Sequence, residues 1–389
     1  MATAMHLQKM DSNLSIVVLE KDSTICGQQS GHNSNVLHAG IYYEPGSMKA
    51  RFCVDGNREL AALCGEFGLP IVRCGKVIVA NTNQEIQRLE NLLSRGTSNG
   101  VPGLRILTKT ELKEVEPNVR GEKALYAPHS AVVDYRKIAN VYAEIFEGGG
   151  GQLLLNTEFL SASVADDGQK VATSEGLLTA KLVINCGGLQ SDLIAKKMGS
   201  KPNIQIIPFR GEYYVFRPES RNLVNGLVYP VPDPSLPFLD VHLTPQVDGS
   251  VEAGPNAVLA TMREGYAWKN FSARDFWQTL SYPGFWNLAR KNLRAGVSEI
   301  NRSLRKRIFV ESLQKLVPVI TADDLERGGA GVRAMAVDRR GNLVDDFYIE
   351  EEPGAIHVLN APSPAATSSY MIGKHLAHKA DANIKNARL

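Results

Sequence analysis

Residues 15–20, Ser-Ile-Val-Val-Leu-Glu, constrain the fold more than any other stretch of the chain. Four consecutive apolar residues, three of them β-branched, suit a short strand covered on both faces, as in a parallel sheet flanked by helices. Ahead of it, residues 2–10 read as the end of a helix. Behind it the rhythm continues: helical spacing over 48–67 stopped by Gly68, a strand at 77–80, a helix over 84–94, and a Thr108/Glu111 capping box opening another helix. Residues 134–146 are helical and run into four glycines, Gly148 to Gly151, followed by strands at 152–155, 159–164 and 181–185. The α-then-β order returns at the end, with a strand at 355–359 and Ser363-Pro364 opening a last helix, Ser as N-cap and Pro at the first helical position. Residues 204–254, rich in β-branched and aromatic residues broken by prolines, predict an antiparallel sheet and a second domain.

At 389 residues and 43% hydrophobic, the chain is long enough for two domains with a buried core. Its 43 Lys plus Arg nearly balance 41 Asp plus Glu, which gives no reason for a polyanionic partner, so nucleic acid is not expected. No apolar run reaches the roughly 18 residues that a membrane helix needs. Cys26, Cys53, Cys64, Cys74 and Cys186 have neither the spacing of a zinc site nor the density of a secreted scaffold, which is simplest in a reducing interior. The first ten residues lack the apolar core of a signal peptide and are too short and Arg-poor for a transit peptide, so the chain as written carries no visible address.

Charge is uneven along the chain. Residues 263–309 hold ten Lys or Arg against three Asp or Glu, together with all three tryptophans, Trp268, Trp277 and Trp286. Basic residues interleaved with aromatics suit a membrane-interface surface. The plainer alternative is a helical subdomain with its aromatics inside and its charges solvated.

Glu20 ends the first strand where a dinucleotide-binding unit places the acid that accepts from a ribose diol. The matching Gly-x-Gly-x-x-Gly belongs about 20 residues upstream, at or before residue 1. Either the chain starts late or Glu20 is a surface acid. Longer patterns bear on that choice: Ser30-Gly31-His32-Asn33-Ser34-Asn35-Val36-Leu37-His38-Ala39-Gly40-Ile41-Tyr42-Tyr43 combines small residues with two histidines and two tyrosines. Further along come Pro208-Phe209-Arg210-Gly211-Glu212-Tyr213-Tyr214, Tyr229-Pro230-Val231-Pro232-Asp233, Phe238-Leu239-Asp240-Val241-His242-Leu243-Thr244-Pro245, Gly254-Pro255-Asn256, Gly331-Val332-Arg333-Ala334 and Asn360-Ala361-Pro362-Ser363-Pro364-Ala365-Ala366-Thr367-Ser368-Ser369.

In this order the stretches resemble the L-2-hydroxyglutarate dehydrogenase (oxidase) family, flavoproteins of the D-amino-acid-oxidase superfamily, from about Ala2 to about Lys379. The resemblance implies an α/β fold: an FAD-binding Rossmann-like domain built from discontinuous segments (1–75, 135–200 and 328–389) and a mixed or antiparallel-sheet substrate domain (76–134 and 201–327). Family members begin with a strand and glycine loop that hold the FAD pyrophosphate, whereas this chain opens inside the helix that follows. As written, it is therefore expected to bind FAD poorly and to be nearly inactive.

The resemblance also implies roles. Glu20 would hold the adenosine ribose, with Lys21 nearby. Ser34 and Asn35 would lie on the cofactor side, and Gly187 and Gly188 against the dinucleotide. Ser363, Pro364, Ala365, Ala366, Thr367 and Ser368 would aim a helix N-terminus at flavin N1 and O2, which gain negative charge on reduction. The implied substrate is a five-carbon 2-hydroxy diacid. Arg210 and Arg333 are the candidates for its carboxylates, since a guanidinium pairs bidentately and stays charged, and Tyr213 and Tyr43 could add donors. His38 and His242 are the candidate bases for the hydroxyl proton, a neutral imidazole being suited to that near pH 7.

Electrons would then pass to a quinone-type acceptor or oxygen, with 263–309 as a possible peripheral membrane contact. The implied location is the mitochondrion, at the inner membrane, with a bacterial cytoplasm or inner-membrane face as the alternative. Other readings are an oxidase of another 2-hydroxy acid or of glycerol 3-phosphate, and an FAD-free binding protein.

Overall fold

The computed structural model describes residues 1–166, 168–234 and 241–386. Phe238, Leu239 and Asp240 of the 238–245 motif lie outside the described residues. The strand at 15–20 forms as Val17–Leu19 and pairs in parallel with Gln152–Leu154. It is not covered on both faces: the sheet has only these two strands, and Val17 is 36% exposed. A second parallel pair, Val183–Asn185 on Ala355–Asn360, is extended antiparallel by Tyr348–Glu352. The helix Ala2–Met10 packs between these layers, Met5 against Tyr142 and Phe146 and Leu7 against Leu376 and Ala380.

One nine-stranded mixed sheet carries the rest of the architecture. Ile204–Phe216 pairs antiparallel with Leu325–Asp338 along nearly its whole length, from Ile204↔Asp338 to Phe216↔Leu325. On its other edge follow Val251–Gly254, His242–Pro245 and Leu227–Pro230, and the last pairs in parallel with Lys76–Ala80. The 76–127 segment thus joins the 204–254 sheet. Leu325–Asp338 runs unbroken through residues 327 and 328, so the boundary expected there falls inside a strand.

Side chains alternate across a strand, so the sheet has two different faces. Val77, Val79, Tyr214, Phe216, Val228, Leu243, Val251 and Ala253 form one apolar face, packed on Leu112 and on Phe309 and Leu313 of the helix Lys306–Gln314. The residues between them in sequence, Lys76, Tyr213, Tyr229, His242 and Glu252, therefore project from the other face.

Three expectations are corrected. The last helix opens at Ser369, not Ser363: residues 363–368 form turns, with Ala365 N–H donating to the Pro362 carbonyl and Ser368 N–H to that of Pro364, both at 2.9 Å. The strand near 159–164 belongs to a three-stranded antiparallel sheet whose other members, Gly168–Thr173 and Gly176–Ala180, were not foreseen. Exposed apolar residues there, Val164 and Leu177, blur the inside–outside alternation that would reveal such strands. Finally, the tryptophans of 263–309 are not core: Trp268, Trp277 and Trp286 are all exposed, Trp277 at 70%.

The helix Met48–Glu66, capped by Ser47 accepting from Ala50 N–H, runs so close to the 363–368 turns that a Cβ on Gly56 would stand 2.3 Å from the Thr367 carbonyl oxygen. Gly-to-Ala within a helix ordinarily gains about 1 kcal/mol; overpacking costs about 1–3 kcal/mol. Gly56→Ala is expected to lower the thermal unfolding midpoint, whereas Gly65→Ala in the same helix, which meets no neighbour, should raise it.

Candidate active site

His38 follows the strand Val36–Leu37 and is held through its backbone by two other segments. Its N–H donates to Thr367 Oγ1 at 3.0 Å. Its carbonyl accepts from Asn57 Nδ2 at 3.1 Å and from the Cys53 thiol at 3.4 Å, both on the helix Met48–Glu66. Tyr135, opening the helix Tyr135–Gly148, lies 2.9 Å from Thr367 Oγ1 and donates to the Val36 carbonyl at 2.9 Å. The backbone is thereby fixed and the imidazole is left over: His38 Nδ1 is buried without a hydrogen-bond partner. Burial first, then the Lys76 charge and His242, hold the His38 pKa well below its ordinary value, so the ring is neutral at pH 7.

Across from it stands the polar face of the sheet. His242 stacks on Tyr229, ring centroids 3.9 Å apart at 22°. Arg333 lies beside Tyr213 and donates from Nη1 to the Asn256 carbonyl at 3.2 Å. Burial pushes the Tyr213 hydroxyl up to about 12 against the pull of Arg333, so it keeps its proton as a donor. Tyr43 is likewise raised by burial, against the pull of Ser363 beside it. His38, Tyr42, Tyr43, Tyr213 and Arg333 are deep within the protein yet keep accessible surface, as residues around an internal void do.

The loop before His38 is pinned to this sheet. Asn35, at φ +57°, donates from Nδ2 to Gln246 Oε1 at 2.9 Å, and Gln246 Nε2 donates to the Ser34 carbonyl at 3.3 Å. Gly331 has no room for a side chain, since a Cβ would meet the His32 carbonyl oxygen at 2.3 Å.

The structure thus links these groups as neighbours: His38 with His242 and Thr367, Tyr43 with Ser363, and Tyr213 with Arg333 and Tyr229. Arg210 is differently placed: its Nε donates to Glu212 Oε1 at 3.2 Å and its guanidinium covers Trp268 at 4.5 Å. Glu20 ends its strand and accepts from Asp22 N–H at 2.9 Å. Lys21 pairs with Glu264 at 2.9 Å, and Glu264 accepts from Gln190 at 2.9 Å, which ties the Glu20 strand end to the turn after Gly187 and Gly188. Gly187 is small because of packing, a Cβ there lying 2.4 Å from Ile194, whereas Gly188 takes φ +51°.

The residues present fit a flavin ring. The Ala366 and Thr367 N–H groups make no hydrogen bond among the described residues, and Ser368 Oγ, His38 Nδ1 and Tyr42 Oη are buried without partners. Free N–H groups at a tight turn before a helix suit the electron-rich pyrimidine edge of that ring.

Sequence reasoning missed two ionisable groups on the polar face, Lys76 and Glu252. Burial pushes Glu252 up to about 7, aided by Asp248. Lys76 is 1% exposed, and its Nζ sits 3.9 Å over the Tyr229 ring. Its signal was its phase: Lys76 stands two and four residues before Ile78 and Ala80 on a buried strand, so it points the way they do.

The family of FAD-dependent oxidoreductases (DAO) matches residues 1–379, so the chain is a flavin-dependent oxidoreductase. An L-2-hydroxyglutarate dehydrogenase from Indibacter alkaliphilus is 45% identical over 375 residues, 96% of this chain and 94% of its own length. A mitochondrial L-2-hydroxyglutarate dehydrogenase from Nematostella vectensis is 44% identical over 399 residues, covering 98% and 88%. This chain belongs to the L-2-hydroxyglutarate dehydrogenase family, and its cofactor is FAD. Among solved structures, the dithionite-reduced, FAD-bound L-α-glycerophosphate oxidase of Mycoplasma pneumoniae has the same fold, with a TM-score of 0.77 over 98% of this chain and 91% of its own at 20% identity.

Thr367→Val would leave the His38 N–H buried without an acceptor, at a cost of about 1–3 kcal/mol. The thermal midpoint is expected to fall accordingly. Imidazole NMR should find His38 uncharged at pH 6, and a His38 ring that is protonated there contradicts the burial argument.

Proposed function

We propose that this chain oxidises L-2-hydroxyglutarate to 2-oxoglutarate, with residues 1–75, 135–200 and 328–389 holding FAD and residues 76–134 and 201–327 covering it. The observation that carries this reading is the facing pair: Arg333 with Tyr213 on the sheet, opposite the unpartnered His38 imidazole beside the Ala366 and Thr367 N–H groups. Bound FAD supplies the acceptor for the hydride that leaves C2. Arg333 pairs with a substrate carboxylate, and Tyr213, keeping its proton, donates to it. His38 takes the hydroxyl proton at Nδ1. Its low proton affinity in the resting site comes first from burial and second from the Lys76 charge; a bound dianion offsets the second part and raises it. His242, stacked on Tyr229, is the second candidate. Arg210, already paired with Glu212, supports the wall under Trp268. Glu20 and Lys21 meet the adenosine end, and Ser34 and Asn35 close the flavin side.

The electrons pass to a quinone-type acceptor or oxygen. Exposed Trp268, Phe271, Trp277 and Trp286 among seven exposed basic residues favour an anionic membrane surface as the docking site. Among the described residues no helix is long and apolar enough to cross a membrane. The named relatives are bacterial and mitochondrial at nearly equal identity, so the peripheral inner-membrane location and its bacterial counterpart both suit this reading.

Anaerobic mixing with L-2-hydroxyglutarate is expected to bleach the flavin at least about 10²-fold faster than lactate or glycerol 3-phosphate does. Equal rates with glycerol 3-phosphate would sink the assignment. Arg333→Met should lower kcat/KM by about 10²–10³-fold, the usual cost of breaking a buried charge pair. His38→Asn should lower kcat more than KM; if it and His242→Asn both keep kcat within a few-fold, neither is the base. Flotation with anionic vesicles should show binding at low salt that is lost at high salt.

A further inference from the structure

Lys76 is a buried cation without a counter-ion. It lies on the strand Lys76–Ala80, mid-sheet, 1% exposed, and makes no hydrogen bond or ion pair among the described residues. Among the described residues the groups that face it carry no negative charge: Tyr42 and His38 from the segment after Val36–Leu37, Cys53 from the helix Met48–Glu66, Cys74 from its own strand's approach, and Tyr229 and His242 from the neighbouring strands. Tyr42, Tyr229, Cys53 and Cys74 are all pushed up by burial and hold their protons. A buried ammonium is costly unless paired, so the site lacks one negative charge.

The position also matters. Four strands, Leu227–Pro230, His242–Pro245, Val251–Gly254 and Ile204–Phe216, separate Lys76 from the Arg333 strand. Across that span Tyr213 acts electrostatically on Tyr229, which lies under Lys76 Nζ at 3.9 Å. One cation stands at each end of a row of phenol and imidazole groups, and an acceptor of such a row carries charge at both its ends.

We infer that Lys76 Nζ binds the second carboxylate of a dicarboxylate substrate, at the end of this row of phenol and imidazole groups opposite Arg333, and so selects diacids over monoacids. The inference rests on the reading of the site as one for a 2-hydroxy acid and adds the residue that counts the charges. Burial holds Lys76 down to about 7, so its anion-binding, protonated form is lost as pH rises through that value unless the anion is present to retain the proton.

The test is equilibrium binding of two unreactive probes, glutarate and butyrate, to the FAD-loaded full chain, read by calorimetry and by perturbation of the flavin spectrum. The wild type is expected to bind glutarate at least about tenfold tighter than butyrate, the yield of one charge-assisted bond. Lys76→Met should erase that preference while leaving butyrate affinity unchanged, and should raise KM for L-2-hydroxyglutarate more than it lowers kcat. In Lys76→Arg the preference should persist, and the weakening of glutarate binding with rising pH near 7 should disappear. Lys76→Met also removes an unpaired buried charge, so its unfolding midpoint should rise, and a lost preference is then not a folding defect. Unchanged glutarate preference in Lys76→Met, or a wild type that does not distinguish the two acids, overturns the proposal. Absence of L-2-hydroxyglutarate oxidation with the glutarate preference intact would instead overturn the reaction and leave the Lys76 site standing.

Discussion

The Thr367 hydroxyl is the joint on which the site depends. It receives the His38 N–H, meets the Tyr135 hydroxyl and donates to the Val36 carbonyl, and all of this is buried. Residues more than three hundred positions apart in sequence are thereby locked at hydrogen-bond distance. In a low-dielectric interior each bond strengthens, and each unmade one would cost its full desolvation. The His38 N–H and carbonyl are both used, whereas among the described residues its Nδ1 is buried without a partner. A neutral imidazole nitrogen is thereby fixed in place with its lone pair unspent.

The nine-stranded sheet sets the opposite wall, and its two faces are energetically unlike. The apolar face stabilises the fold by packing on helices, while the polar face carries groups that burial disfavours. Lys76 is drawn down to about 7 and Glu252 pushed up to about 7. For Lys76 the folded-state pKa lies below the unfolded one, so its penalty is complete below about 7 and fades as pH rises toward 10.5. For Glu252 the sign is reversed: the folded pKa lies above 4.5, and stability is lost as pH rises from there through about 7. At pH 7 both costs are therefore close to their full size. Such strain at a site is ordinary where function competes with stability.

The elements that were misread share a cause. Val17 lies in a run apolar enough for a fully covered strand, yet its exposure depends on what packs beside it, which a local window does not contain. Ser363-Pro364 has the residue types of a helix start, but the chain there turns tightly against the helix Met48–Glu66 and only becomes helical at Ser369. Aromatics interleaved with charges over 263–309 suit a core as well as a surface, and the tryptophans at 268, 277 and 286 face outward. Helices with strong local signals fared better: both Thr108 and Glu111 make the expected reciprocal cap.

Residue order alone determined the α/β rhythm, the second sheet from 204 onward and the motifs whose resemblance named the family, because periodicity, caps and local motifs are short-range properties. It also picked out His38, His242, Tyr213, Arg333 and the 363–368 run as chemically apt. Tertiary structure decided which of these meet and which are already occupied, such as Arg210 against Glu212. It alone revealed Lys76 as an uncompensated charge, since the absence of a counter-ion is a property of everything around a residue and of nothing adjacent to it in sequence.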